Sequence, residues 1–201
     1  MKKQHENSNL FDLSDIKGIE LPQKSKSVSN KSLKNNTVLM KRFDKCSKVI
    51  GKIQKDTSIH YVSMGEWSSH DLLKVILEQI GKADVYIATW SISEPGTIML
   101  LNLVKSGLIN SILGVFDWRI KVRNPKALQL AKYNFNKIYL TTCHAKVTVI
   151  CNKDYNISIV GSANYTNNPR IESGVITESK EIADFHKDWI SGITKNSKLF
   201  E

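Results

Sequence analysis

Long hydrophobic runs are missing from this 201-residue chain. No stretch approaches the ~20 apolar residues needed to span a bilayer. The basic start (Lys2, Lys3) is followed by Asn7-Ser8-Asn9 and Asp12 rather than by an apolar segment, which argues against a secretory signal. Cysteine is sparse: Cys46, Cys143 and Cys151 form neither a C-x-x-C pair nor an even framework, so a reducing compartment is expected. Cys143 and Cys151 lie at opposite ends of one expected strand, about 26 Å apart at the usual rise, too far to bridge. These absences predict a soluble, cytoplasmic protein with no stable membrane association.

Acidic residues are the minority, 19 against 29 Lys and Arg, giving a formal charge of +10. The excess is uneven. Residues 1–56 hold 13 basic and 6 acidic side chains, a net of +7, whereas 57–201 carry a net of +3. Such an arm suits nucleic acid or an anionic surface through counterion release and long-range attraction; a solubilising tail with no partner has the same composition.

The 41% apolar content is ample for a core, and the length predicts one domain with an appendage. Residues 1–56 read as a Lys/Ser/Asn-rich flexible arm, with linker composition over 23–36 and a possible basic amphipathic helix over 38–53. The body, 57–201, alternates. A strand over 59–63 leads to a helix through Ile80, a strand over 83–90, a helix from Glu94 to Gly107 and a strand over 111–118. Pro125 opens a third helix, then come a strand over 137–142, a hairpin of 145–151 and 156–160, a strand over 174–177 and a helix over 180–195. Alternating strands and helices followed by consecutive strands predict an α/β domain, a mixed sheet flanked by helices in α-β-α layers.

The hairpin carries the chemistry. His144 and Lys146 precede and enter its first strand, two residues apart and therefore expected on one face. Gly161-Ser162-Ala163-Asn164 ends its return strand, and Arg170 and Glu172 follow. Alone, H-x-K is an ordinary surface pair and G-S-x-N an ordinary turn; their joint occurrence on adjacent strands is the unusual feature. Cys143, His144 and Cys151 could be read as metal ligands, but along one strand they lack tetrahedral spacing, so no metal and no cofactor is expected. Trp90, Trp118 and Arg119 fall at expected strand ends, where they could stack on bases or pack the rim. Glu66 and Asp117 are similarly placed, with no role apparent from sequence.

Over roughly 57–195 the chain resembles the phospholipase D superfamily, whose signature is H-x-K-x4-D-x6-G-S-x-N. His144-Ala145-Lys146 and Gly161-Ser162-Ala163-Asn164 match. The signature's Asp falls on Cys151, Gly161 arrives three residues late, and Asp154 is the nearby acid. A lost Asp with a longer hairpin is similar to the catalytic domains of metal-independent restriction endonucleases within that superfamily. Asn168-Pro169-Arg170-Ile171-Glu172 after G-S-x-N looks like a feature of single-motif members. No internal repeat supplies a second motif.

The residues suit phosphodiester chemistry, which needs a nucleophile, charge neutralisation and a proton for the leaving oxygen. His144 can attack phosphorus to give a phospho-histidine. Lys146, Asn164 and Ser162 can hold nonbridging oxygens, Arg170 can bind phosphate or pair with Glu172, and Glu172 can orient His144. The resemblance implies a homodimer in which two copies of His144 share one site. The expectation is a metal-independent phosphodiesterase of nucleic acid, DNA rather than RNA. The alternatives are a nucleic-acid-binding protein that keeps only the fold, and a lipid phosphodiesterase, which a single motif and the lack of a hydrophobic loop disfavour.

Overall fold

The computed structural model describes residues 26–31, 34–39, 46–167, 170–193 and 198–199. Ten strands form one mixed sheet: β1 (Lys26–Lys31), β2 (Lys34–Leu39), β3 (Ser58–Val62), β4 (Ala83–Thr89), β5 (Ile109–Asp117), β6 (Lys137–Thr141), β7 (Lys146–Cys151), β8 (Asn156–Gly161), β9 (Ser173–Glu178) and β10 (Lys198–Leu199). Their order is β10-β6-β5-β4-β7-β8-β9-β3-β1-β2. β4, β5 and β6 are mutually parallel, and every other pairing is antiparallel, including β4 with β7. The expected α/β mixed sheet is therefore present.

The helices are α1 (Cys46–Ile50), α2 (Ser69–Ile80), α3 (Glu94–Lys105), α4 (Ile120–Arg123), α5 (Pro125–Lys132) and α6 (Lys180–Ile193). Period-two alternation in the strands separates two cores. Val85, Ile87, Ile112 and Ile150 meet Leu72, Ile76, Leu100 and Leu128 from α2, α3 and α5 on one face. Ala88, Val115, Val147 and Val149 meet Ala183 and Ile190 of α6 on the other. The layers are α-β-α. Helix α2 starts at Ser68, whose N–H and hydroxyl both donate to the Asp71 carboxylate, at 2.9 and 2.6 Å. This satisfies the helix entry. Pro125 occupies the first position of α5, where its missing N–H costs nothing.

Two expectations change at the amino-terminal side. Residues 26–31 and 34–39, read as linker and arm, form a hairpin whose β1 pairs with β3 from Lys26↔Val62 to Asn30↔Ser58. Edge pairing needs only backbone groups, so Lys-, Ser- and Asn-rich segments can join a sheet that composition does not announce. Of the helix expected over 38–53, Val38 and Leu39 belong to β2, 46–50 are helical and 51–53 are not. Residues 1–25, 32–33 and 40–45 lie outside the described residues, as do the last two positions of the helix expected over 180–195.

The topology sends several chain ends to one margin of the sheet. The parallel strands β4, β5 and β6 finish there, β7 starts there opposite Thr89, β8 ends there, and β9 begins there opposite Gly161. His144 and Lys146 of H-x-K and Gly161–Asn164 of G-S-x-N sit on this margin.

Candidate active site

Strand β7 begins at Lys146, so His144 lies in the short approach to it rather than in the strand. The His144 imidazole is exposed and meets the Trp90 ring edge-on, with centroids 5.9 Å apart. The Lys146 ammonium turns back to donate to the His144 carbonyl at 2.8 Å. Partial burial pushes the Lys146 ammonium below its ordinary value, while the negative fields of Cys143 and Glu172 oppose the shift. Glu172 is thus electrostatically coupled to the lysine. Its carboxylate accepts the Ser162 hydroxyl, and the Ser162 and Ser173 main chains bond across the margin, with Ser162 N–H donating to the Ser173 carbonyl at 2.9 Å.

The exit loop after β8 is held at both ends. Ser69 Oγ at the start of α2 donates to the Ala163 carbonyl at 3.2 Å. Tyr165 N–H donates to the Ser91 carbonyl at 3.2 Å, and Ser93 N–H donates to the Tyr165 carbonyl at 2.9 Å, at the start of α3. Gly96 makes this approach possible, since a Cβ there would sit 2.4 Å from the Tyr165 carbonyl oxygen. Below the loop, the Tyr165 hydroxyl and Thr148 Oγ1 lie 2.6 Å apart on the face of β7 shared with Lys146. Between these anchors, Asn164 Oδ1 accepts from Thr89 Oγ1 at 3.1 Å. Thr89 is fully buried and pairs with Lys146 across β4 and β7. The lysine and the asparagine, eighteen residues apart in sequence, are therefore referenced to one threonine.

The motif's glycine also has a local cause. Gly161 pairs with Gly174 across β8 and β9, and the Tyr61 ring lies over both. A Cβ at Gly174 would stand 2.6 Å from the Tyr61 hydroxyl, and one at Gly161 would stand 2.8 Å from the Ser173 carbonyl oxygen. The recess beneath is lined by Tyr61, Ser69, Lys146, Thr148, Ala163 and Tyr165 among others.

Asp117, at the end of β5, is fully buried. Its carboxylate accepts Arg119 Nε at 2.5 Å and Nη2 at 2.9 Å, and also the Cys143 N–H at 3.2 Å. The Arg119 guanidinium holds its pKa down, at about 2, against burial, which raises it. Sequence gave Asp117 no role because its partner strand, β6, is reached only through the parallel pairing of β5. Arg119 and Arg123 place their guanidinium carbons 5.9 and 4.3 Å from the centre of the Trp90 ring. Of the three residues placed at strand ends, Trp90 and Arg119 are in contact with one another beside His144.

The structure brings His144, Lys146, Ser162, Asn164 and Glu172 to one margin of the sheet. Arg170 lies on the same exit loop, exposed, between Asn164 and Glu172. Cys151, standing where the signature has Asp, is at the far end of β7, roughly 17 Å from Lys146 at strand rise. The change of residue there is remote from the cluster. Among the described residues, no three His, Cys, Asp or Glu side chains are grouped as a metal site, and no helix is long and apolar enough to cross a membrane.

The same arrangement of strands and helices is found in solved structures. NucT from Helicobacter pylori superimposes with a TM-score of 0.57 at 19% identity, over 71% of this chain and 98% of that one. Nuc from Salmonella typhimurium, a phospholipase D family member, superimposes with a TM-score of 0.51 at 15% identity, over 65% and 91%. The fold is the one shared with these two structures. No family model matches the sequence and no curated protein matches it, so the likeness lies in the fold and in the residues of the motif. The strand order accounts for the margin on which H-x-K and G-S-x-N sit, because the two arrive there from the antiparallel neighbours β7 and β8.

Proposed function

We propose that this phospholipase D-like protein is a phosphodiesterase of nucleic acid, acting on DNA, with His144 as the nucleophile. The observation that carries the reading is the convergence of an exposed imidazole, an ammonium and an amide on one margin, with Lys146 and Asn164 both tied to Thr89. Thr89 engages the amide oxygen, so the Asn164 NH2 is the end offered to a nonbridging phosphoryl oxygen. Lys146 supplies positive charge where negative charge accumulates in the transition state. Arg170 adds a further cation from the exit loop.

In the reaction, a neutral His144 imidazole forms a bond to phosphorus as the P–O bond to the leaving oxygen breaks. A second imidazole, protonated, gives that oxygen its proton. Water then attacks the phospho-histidine, the second imidazole takes the water's proton, and His144 is released. The second imidazole is not His60, which lies on β3, three strands from β7 and roughly 14 Å away at ordinary strand spacing. Nor is it His70, which is buried, or His186, whose Nδ1 accepts from Trp189 on α6. A second copy of the chain brings its own His144 across a two-fold axis. Glu172, expected to orient His144, is bonded instead to Ser162 and acts as an anionic neighbour of Lys146. The basic residues of the chain favour a polyanionic substrate.

The reading is tested with purified protein, plasmid and single-stranded DNA in excess EDTA. Cleavage survives chelation and is abolished by His144→Ala, and Lys146→Ala and Asn164→Ala each lower turnover by roughly 100-fold. Cleavage that needs added magnesium and ignores His144 sinks the mechanism.

A further inference from the structure

Segment 118–126, WRIKVRNPK, carries four cations and no acid. Its one acidic neighbour, Asp117, is already matched by Arg119. The segment leaves β5 at the margin that holds His144, and it is rigidly built. Trp118 N–H donates to the Thr141 carbonyl at 2.9 Å, Arg123 N–H to the Arg119 carbonyl at 3.0 Å, and Asn124 Nδ2 to Ser91 Oγ at 3.2 Å. Arg119 is forked onto Asp117, and Arg123 rests on the Trp90 ring whose edge meets His144. Arg119 and Arg123 thus meet at Trp90, whose edge reaches His144, and Trp118 precedes Arg119 in the chain.

Trp118 is 52% exposed. A tryptophan in a core-forming sequence is ordinarily covered, because its ring carries more apolar area than any other side chain. Here the main chain is anchored while the ring is left in solvent, on a segment that also carries Arg119, Lys121, Arg123 and Lys126. That combination offers a flat apolar face on a cation-bearing segment. It matches a heterocyclic base joined to a phosphate on each side.

We propose that Trp118, with Arg119 and Arg123, forms a stacking subsite for an unpaired nucleobase and its flanking phosphates, and that the strand led to His144 is single. The inference rests on the nucleic-acid reading of the site and adds the form of the substrate. In a duplex, each base face is covered by its neighbours in the stack, and a rim tryptophan cannot lie on it without unpairing. An unpaired strand presents its faces freely, and stacking on an aromatic ring tolerates any base. Arg123 plays two parts: it covers Trp90 in the free protein, and it swings onto phosphate when a strand is bound.

The test uses the full chain carrying His144→Ala, so that the strands stay intact, and three fluorescein-labelled probes of one length: oligothymidylate, an abasic tetrahydrofuran strand and a hairpin duplex. Anisotropy reports affinity, and intrinsic tryptophan emission reports stacking. The oligothymidylate binds roughly tenfold or more tighter than the abasic strand, outcompetes the duplex, and quenches the emission, which the abasic strand does not. Trp118→Ala erases the difference between base and no base, and Trp118→Phe retains most of it. Equal affinity for the thymidylate and abasic strands overturns the subsite, and that comparison needs no variant at Trp118. Preference for the duplex overturns it as well. Turnover of bis(p-nitrophenyl) phosphate by the unmodified protein, a diester with no base, reports the phosphodiesterase reading separately. Base discrimination without that turnover removes the cleavage mechanism and leaves the subsite standing.

Discussion

Asp117 Oδ2 accepts the main-chain N–H of Cys143 at 3.2 Å, so the carboxylate that grips Arg119 also fixes the residue before His144. One buried acid at the end of β5 thereby sets both the imidazole's approach to β7 and a cation on the rim.

Replacing it tests that link. Asp117→Asn keeps the shape but loses the charge, and costs about 1–3 kcal/mol of stability together with a fall in turnover. The carboxylate's pKa is depressed on folding, from 3.8 to about 2, through the Arg119 hydrogen bonds. Its contribution is complete above about pH 4 and is lost as pH falls through about 2. Urea midpoints for the unmodified protein and the variant should therefore converge between those values. A gap that stays constant down to pH 2 would show that the charge contributes nothing.

Burial lowers the pKa of His70 from 6.5, against the opposing field of Asp71, and its Nδ1 has no hydrogen-bond partner. The unfolded chain thus binds a proton that the folded one refuses. Stability is unaffected above about pH 6.5 and declines as pH falls below it. His186, also lowered by burial, adds the same sign. His70→Phe should flatten the slope of the denaturation midpoint between pH 7 and pH 5.

The glycine pair under Tyr61 makes a packing prediction. Gly174→Ala puts a methyl 2.6 Å from the Tyr61 hydroxyl and 2.8 Å from the Val160 carbonyl oxygen. The strain should cost about 1–3 kcal/mol, read as a lower denaturation midpoint. Adding Tyr61→Phe removes the nearest atom and should recover part of the loss, since the ring carbon at 2.7 Å remains.

The proposed sharing of one site by two chains predicts a dominant-negative mixture. With equal amounts of unmodified and His144→Ala chains, after subunit exchange, activity should fall to about a quarter rather than a half, the fraction of dimers with two imidazoles. A linear fall with composition would show that each chain works alone.

Much of this was legible before any coordinates. His144, Lys146 and the Gly161–Asn164 turn announce themselves because hairpin spacing is a local property, and the apolar periodicity marks α2, α3 and α6 within a few residues. Thr89 and Asp117 were not legible. Thr89 matters only through the antiparallel pairing of β4 with β7, and Asp117 only through the parallel neighbour of β5. Neither pairing leaves a mark in local sequence. The β1–β2 hairpin was hidden for the opposite reason: its residues look like linker, and its place comes from backbone pairing with β3.

The far margin of the sheet holds a different kind of structure. There the buried Glu178 carboxylate accepts the Asp56 N–H at 2.9 Å, the Asn156 N–H at 3.3 Å and the Lys55 ammonium at 3.2 Å, clasping three chain segments. Strands β3, β4, β7, β8 and β9 run the full width between this clasp and His144. Durability and chemistry therefore occupy opposite shores of one sheet. Selection, or an engineer, can retune the clasp to set the protein's lifetime while leaving the His144 margin as it is, and the lengthened turn after Cys151, which lies on the clasp side, is the kind of change such a division permits.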